Sequence, residues 1–131
     1  VTSDGALIVR SLQRAADLIP DPTGLVYERL FSLHPHMEPL FIRDTNGLVR
    51  GEMLAKVFEI ILDLVADRRY AANMIRCEVV THAGYGVPAD VFWTFFDVLS
   101  EVIGEQLGDD WTAETEGAWA RLLLNVRPLP R

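Results

Sequence analysis

Cysteine is almost missing: Cys77 is the only one among 131 residues. No disulfide can close within the chain and no cysteine-based zinc site can be built, so a reducing compartment is the expectation. Basic side chains are short in number, 12 Lys and Arg against 19 Asp and Glu, for a net charge of −7. With no basic cluster to offset it, that balance repels phosphate backbones and anionic bilayers, and excludes nucleic acid as an expected partner. Long apolar runs are lacking as well. The most apolar stretch, residues 57–66, contains Glu59 and Asp63 and falls far short of the roughly 20 residues a membrane span needs. No leader-like segment opens the sequence, and a soluble, cytoplasmic protein is expected. Strand signals are weak too. Asn46-Gly47 is the one Asn-Gly pair, and the residues after it repeat with helical rather than alternating period. Finally, there is no Ser-His-Asp order, no phosphate-cradling glycine loop and no His-Glu-x-x-His pair, which leaves hydrolase and nucleotide-binding chemistry without support.

What is present is a folding chain. Half of the residues are hydrophobic and 24% are charged, the balance of a packed domain, and the length suits one domain covering residues 1–131. Periodicity predicts an all-α protein. A first helix runs from about Asp4 to Ile19 with Ile8, Leu12, Ala15, Ala16 and Ile19 on one stripe, and Pro20 stops it. Asp21-Pro22 starts a second helix, to about His34, before Pro35. Leu54, Val57, Phe58, Ile61, Leu64 and Val65 mark a long third helix over about 48–67, and a fourth covers about 69–83, ending in Gly84-Tyr85-Gly86. Behind Pro88, the stripe Phe92, Phe95, Phe96, Leu99, Val102, Ile103 and Leu107 is the strongest in the chain and should form the core. Thr112 caps a last helix bearing Trp119, Leu122, Leu123 and Val126, which Pro128 and Pro130 end.

Packing accounts for most stripe positions; polar residues drawn onto those stripes need another account. Four stand out: Tyr27, Arg50, Glu78 and His82. From spacing alone, Tyr27 reads equally as a core tyrosine bonded to a backbone carbonyl, Arg50 as a snorkelling group and His82 as a helix-end cation. His34 and His36 flank Pro35 in a connecting segment and are expected to face water.

Taken together, VYERLFSLHPHMEPLF, the long amphipathic helix, THAGYGVPADVF and LGDDWTAETEGAWARLL resemble the globins, most closely the bacterial single-domain haemoglobins and the globin domain of flavohaemoglobins. The resemblance covers nearly the whole chain. It implies a three-over-three helical sandwich around a haem b pocket. His82 matches the proximal iron ligand, Phe41 the phenylalanine that stacks on the haem face, and Tyr27 the distal tyrosine that donates to dioxygen. Arg50 falls at the distal position of the long helix, where relatives often carry glutamine or histidine, with Leu54 one turn further over the ligand site. Phe58, Val87 and Phe92 complete the implied cofactor wall. Arginine stays protonated and cannot coordinate iron, so it would pair with a propionate or donate to a ligand.

The chain also departs from the flavohaemoglobin pattern. Phe92 stands where a tyrosine helps polarise the proximal histidine, and the matching glutamate lies beyond the chain's end. A backbone carbonyl, Thr81 or Glu78 is left to accept the second ring N–H of His82. The resemblance implies binding of dioxygen, nitric oxide or carbon monoxide, and nitric oxide dioxygenation if an external reductase supplies electrons. Two alternatives stand beside it: a gas- or redox-sensing input domain of a larger signalling protein, and a globin-like interaction domain without haem.

Overall fold

Proline sets the first boundaries. In the computed structural model, which describes residues 3–66 and 70–126, helix α1 (Ser3–Leu18) stops short of Pro20 and α2 (Thr23–Leu33) ends before Pro35. Asp21 accepts hydrogen bonds from the backbone N–H of Thr23 (3.0 Å) and from its hydroxyl (2.6 Å), so the carboxylate satisfies a free donor at the start of α2. Pro35–Phe41 then winds into a 3-10 helix with Met37 buried, where the sequence suggested only a connection. There His34 is partly buried, His36 is exposed, and their rings lie 5.9 Å apart.

The third helix, α3 (Leu48–Val65), starts after Gly47, whose φ of 75° favours a residue without a side chain. Its first turn is unusually well capped. Asn46 accepts from Leu48 N–H (3.1 Å), and the two oxygens of Asp44 accept from Val49 N–H and Arg50 N–H, both at 3.0 Å. Asp63 near its far end accepts from Tyr70 N–H (3.0 Å) and Ala71 N–H (2.8 Å), so one helix caps the next, α4 (Ala71–Gly84). The sequence-based limits of these helices at Asp67 and Arg69 lie outside the described residues, as do Pro128 and Pro130.

Pro88 leads into α5 (Ala89–Leu107), and α6 (Ala113–Val126) follows a turn at Gly108–Asp110. The hydroxyl of Thr112 accepts from Thr115 N–H (3.1 Å), as the capping reading requires. No strand occurs among the described residues, and no helix there is long and apolar enough to cross a membrane.

Two layers of three helices result. α1, α3 and α4 lie across α2, α5 and α6, with α1 on α5 and α6, α2 on α3, and α4 on α5. Ile8, Val98, Leu99, Ile103, Ala118, Trp119 and Val126 pack where α1, α5 and α6 meet. The stripe of α1 is not quite as its spacing suggests: Ala16 is exposed, while Ser11 is buried. Ser11 has a task there. Its hydroxyl accepts the indole N–H of Trp119 (2.9 Å) and donates to the carbonyl of Ile8 (2.6 Å), leaving no polar atom of the trio unpaired.

Candidate functional site

The opposite end of α5 does not close on a core. Phe92 and Phe95 are only partly buried, because they face a cavity of about 260 Å³ between α2, the 35–41 turn, α3, α4 and α5. Its wall is mostly apolar: Leu30, Met37, Phe41, Met53, Val57, Ile60, Val87, Val91, Phe92, Phe95 and Phe96. The polar groups on it are few. They are Tyr27, Glu52, Lys56, Glu78 and His82, the pattern of a small-molecule site rather than of packing failure.

His82 sits in the last turn of α4. Its ring Nδ1 lies 2.7 Å from the carbonyl oxygen of Glu78 one turn earlier. A carbonyl can only accept, so Nδ1 carries the hydrogen and Nε2 keeps its lone pair free. The backbone therefore selects the tautomer. The Glu78 carboxylate stands further off, at 3.9 Å from Nδ1, and Thr81 is exposed. The carbonyl of His82 is fixed as well, accepting from Tyr85 N–H (3.0 Å) and Val87 N–H (2.9 Å). Phe92 lies edge-on to the imidazole at 5.2 Å, which supplies a wall where the flavohaemoglobin pattern would place a hydroxyl.

Tyr27 is the other polar feature. Only 2% exposed, it rests among Phe31, Phe41 and Phe95 at ring distances of 5.8, 5.4 and 5.4 Å. Among the described residues its hydroxyl is the one buried side-chain polar atom that finds no hydrogen-bond partner. Spacing allowed a core tyrosine bonded to a carbonyl; that bond is not made. Burial pushes the phenol well above its ordinary value, with the nearby Arg50 charge opposing the shift and Asp44 adding to it. At neutral pH it is an O–H donor without an acceptor, and such a group carries a desolvation cost.

Five of the eight residues named from sequence line this cavity: Tyr27, Phe41, His82, Val87 and Phe92. Arg50, Leu54 and Phe58 do not. Leu54 is buried in the core, and Phe58, one turn further on the same face of α3, packs against that core. Arg50 is held away by Asp44, donating from Nε to Oδ2 (3.0 Å) and from Nη2 to the backbone carbonyl (2.8 Å). Burial tends to raise the Asp44 carboxyl, but the N–H groups of Val49 and Arg50 and the guanidinium together hold it below the usual carboxylate value. The physical reason is rotational. Successive residues of an α-helix are about 100° apart around its axis, so Met53 faces the cavity while Leu54 faces the core. The apolar lining from α3 is Val49, Met53, Val57 and Ile60, a second apolar stripe that spacing alone displays but does not rank above the first.

A family model of globins matches residues 24–128, and the chain belongs to the globin family. Members of that family characteristically hold haem and bind small gases on its iron. A search of curated proteins and a search of solved structures each return no match.

Haem fits the residues present. An imidazole with its Nε2 unengaged, aromatic and aliphatic walls, and an orphaned phenol on the same cavity form a set of groups suited to a flat, largely apolar iron-bearing ring. No group of three or more His, Cys, Asp or Glu able to hold a bare metal ion occurs among the described residues.

Proposed function

We propose that this chain is a haem b globin of the bacterial single-domain type that binds dioxygen reversibly, with residues 1–131 forming one domain. The observation that carries the reading is the pairing of His82, its Nε2 freed by the Glu78 carbonyl, with the unpartnered Tyr27 hydroxyl on the same cavity. When bound, the haem supplies an iron atom whose open side takes a diatomic ligand.

The protein's own residues supply the rest. His82 would hold the iron through Nε2, and its bond to a neutral carbonyl rather than a carboxylate would leave the imidazole only weakly polarised. Such a ligand suits gas binding better than strongly electron-donating chemistry. Phe41, Met53, Val57, Val87 and Phe92 enclose the ring and exclude water, and Lys56 offers a cation to a propionate. Tyr27 would donate its hydrogen to a ligand held in the cavity, gaining the partner it otherwise lacks. Arg50 keeps its place on α3 by pairing with Asp44, and Leu54 and Phe58 hold that helix from behind. Oxidation of nitric oxide to nitrate is open to the same site when an external reductase returns the electron.

The test is an absorption titration with haemin on the native chain and on His82→Ala. The expected outcome is saturable one-to-one binding with a sharp Soret band that is shifted or lost in the variant, and a stable spectrum after reduction in air that Tyr27→Phe shortens. Absence of saturable binding overturns the proposal and leaves a globin-shaped interaction domain.

A further inference from the structure

Tyr27 separates two hollows. Besides the cavity that His82 lines, a groove of about 770 Å³ runs between α2 and α3, walled by Thr23, Gly24, Phe31, Gly51 and Ala55 among others. Tyr27 and Glu52 belong to the walls of both hollows. The groove stays open because glycines occupy the facing helices. A Cβ added at Gly24 or at Gly51 would meet no heavy atom within 4 Å, so these glycines leave room rather than permit a close helix contact. Its charge is one-sided. Asp21, Glu28, Glu38 and Glu52 line it, and the one cation on its wall, Arg50, is already paired with Asp44. Such a rim repels anions and is indifferent to uncharged molecules.

We propose that the groove between α2 and α3 is a side door through which small uncharged diatomic molecules reach the Tyr27 hydroxyl, while anions use the mouth of the His82 cavity. Three observations carry it: the shared wall at Tyr27, the space beside Gly24 and Gly51, and the acidic rim. Passage requires displacement of Tyr27, which is 2% exposed and packed against Phe31, Phe41 and Phe95, so the door opens by a transient motion of that aromatic cluster together with Glu52. The inference rests on the haem reading for its physiological meaning, although the groove can be tested without haem.

Gly51→Leu and Gly24→Leu plug the groove. Both positions are helical with negative φ, and leucine is the better helix former, so the variants are expected to fold. On the haem-free chain, methyl NMR under xenon pressure is expected to shift Thr23 and Ala55, which line only the groove, as well as Val57 and Val91, which line only the cavity. Gly51→Leu should remove the first set and keep the second. On the haem-loaded chain, carbon monoxide recombination from solvent after flash photolysis is expected to slow by about tenfold in the plugged variants, while thiocyanate binding to the oxidised protein keeps its rate. Unshifted Thr23 and Ala55 methyls overturn the groove as a gas site. A carbon monoxide rate within about twofold of native, or thiocyanate slowed as much as carbon monoxide, overturns the side door. Failure to bind haem sinks the functional reading alone, since the xenon pattern is read without it.

Discussion

One helix runs through two different environments. Along the second half of α5, Val98, Leu99, Val102 and Ile103 are at most 3% exposed and meet α1 and α6 in a closed core. Along the first half, Phe92 and Phe95 stop at a cavity, and across it α4 buries only Ala71 and Ile75 among its described side chains. The closed end satisfies its polar atoms internally through Trp119, Ser11 and Ile8, whereas the open end leaves Tyr27 unsatisfied. Stability and function are therefore segregated along a single element: what holds the fold lies at one end, and what awaits a ligand lies at the other.

The contrast can be broken from its strong side first. Trp119→Ala removes the largest fully buried side chain and should cost about 3–5 kcal/mol in urea unfolding of the haem-free chain. Ser11→Ala should cost about 1–3 kcal/mol, because the Trp119 indole N–H loses its acceptor inside the core. At the open end the sign reverses. Tyr27→Phe deletes a buried hydroxyl with no partner, so the haem-free chain should gain about 1 kcal/mol while the haem-loaded protein releases dioxygen faster. A loss of stability in that variant would show that the hydroxyl is satisfied in the free protein, and would erase the difference between the two ends.

The smallest effect is a pH dependence. Asp44 is held below its ordinary value of 3.8 by the Val49 and Arg50 N–H groups and the Arg50 guanidinium, against its own burial. Its folded-state value is depressed, so its contribution is fully present above the unfolded value and fades as pH falls through the folded one. Asp44→Asn should therefore lower the melting temperature at neutral pH and flatten the loss of stability as pH falls below the ordinary carboxylate value of 3.8. Tyr27, whose phenol burial raises, works at the other extreme. It stays protonated at neutral pH, and stability falls as pH climbs past about 10, a limb absent from Tyr27→Phe.

Much of this was legible in the sequence. The helices and their proline and glycine boundaries follow from periodicity, and the stripe of α5 announces the core because a run of bulky apolar residues at helical spacing has no alternative but burial. His82, Phe41 and Tyr27 came through family resemblance, and spacing alone left each with an ordinary explanation. What the sequence concealed is rotation and reach. α3 carries apolar residues on two adjoining stripes, so counting along it selected Leu54, whereas the fold turns Met53 inward. Arg50 lay on a plausible stripe too, but a carboxylate six residues before it captured both its backbone and its guanidinium. The acceptor for His82 was open among three groups, and only geometry chose the Glu78 carbonyl.

That same bond makes the imidazole a mechanical extension of the backbone. Nδ1 is tied to a peptide oxygen one turn back, and the carbonyl of His82 itself anchors the turn that leads into α5. Rotation of the ring about its side-chain bonds would break the bond to the Glu78 carbonyl, so the imidazole is oriented with the last turn of α4. The orientation of the ring is thus set by two peptide groups of its own helix end, with the exposed Gly84–Gly86 turn directly beyond them.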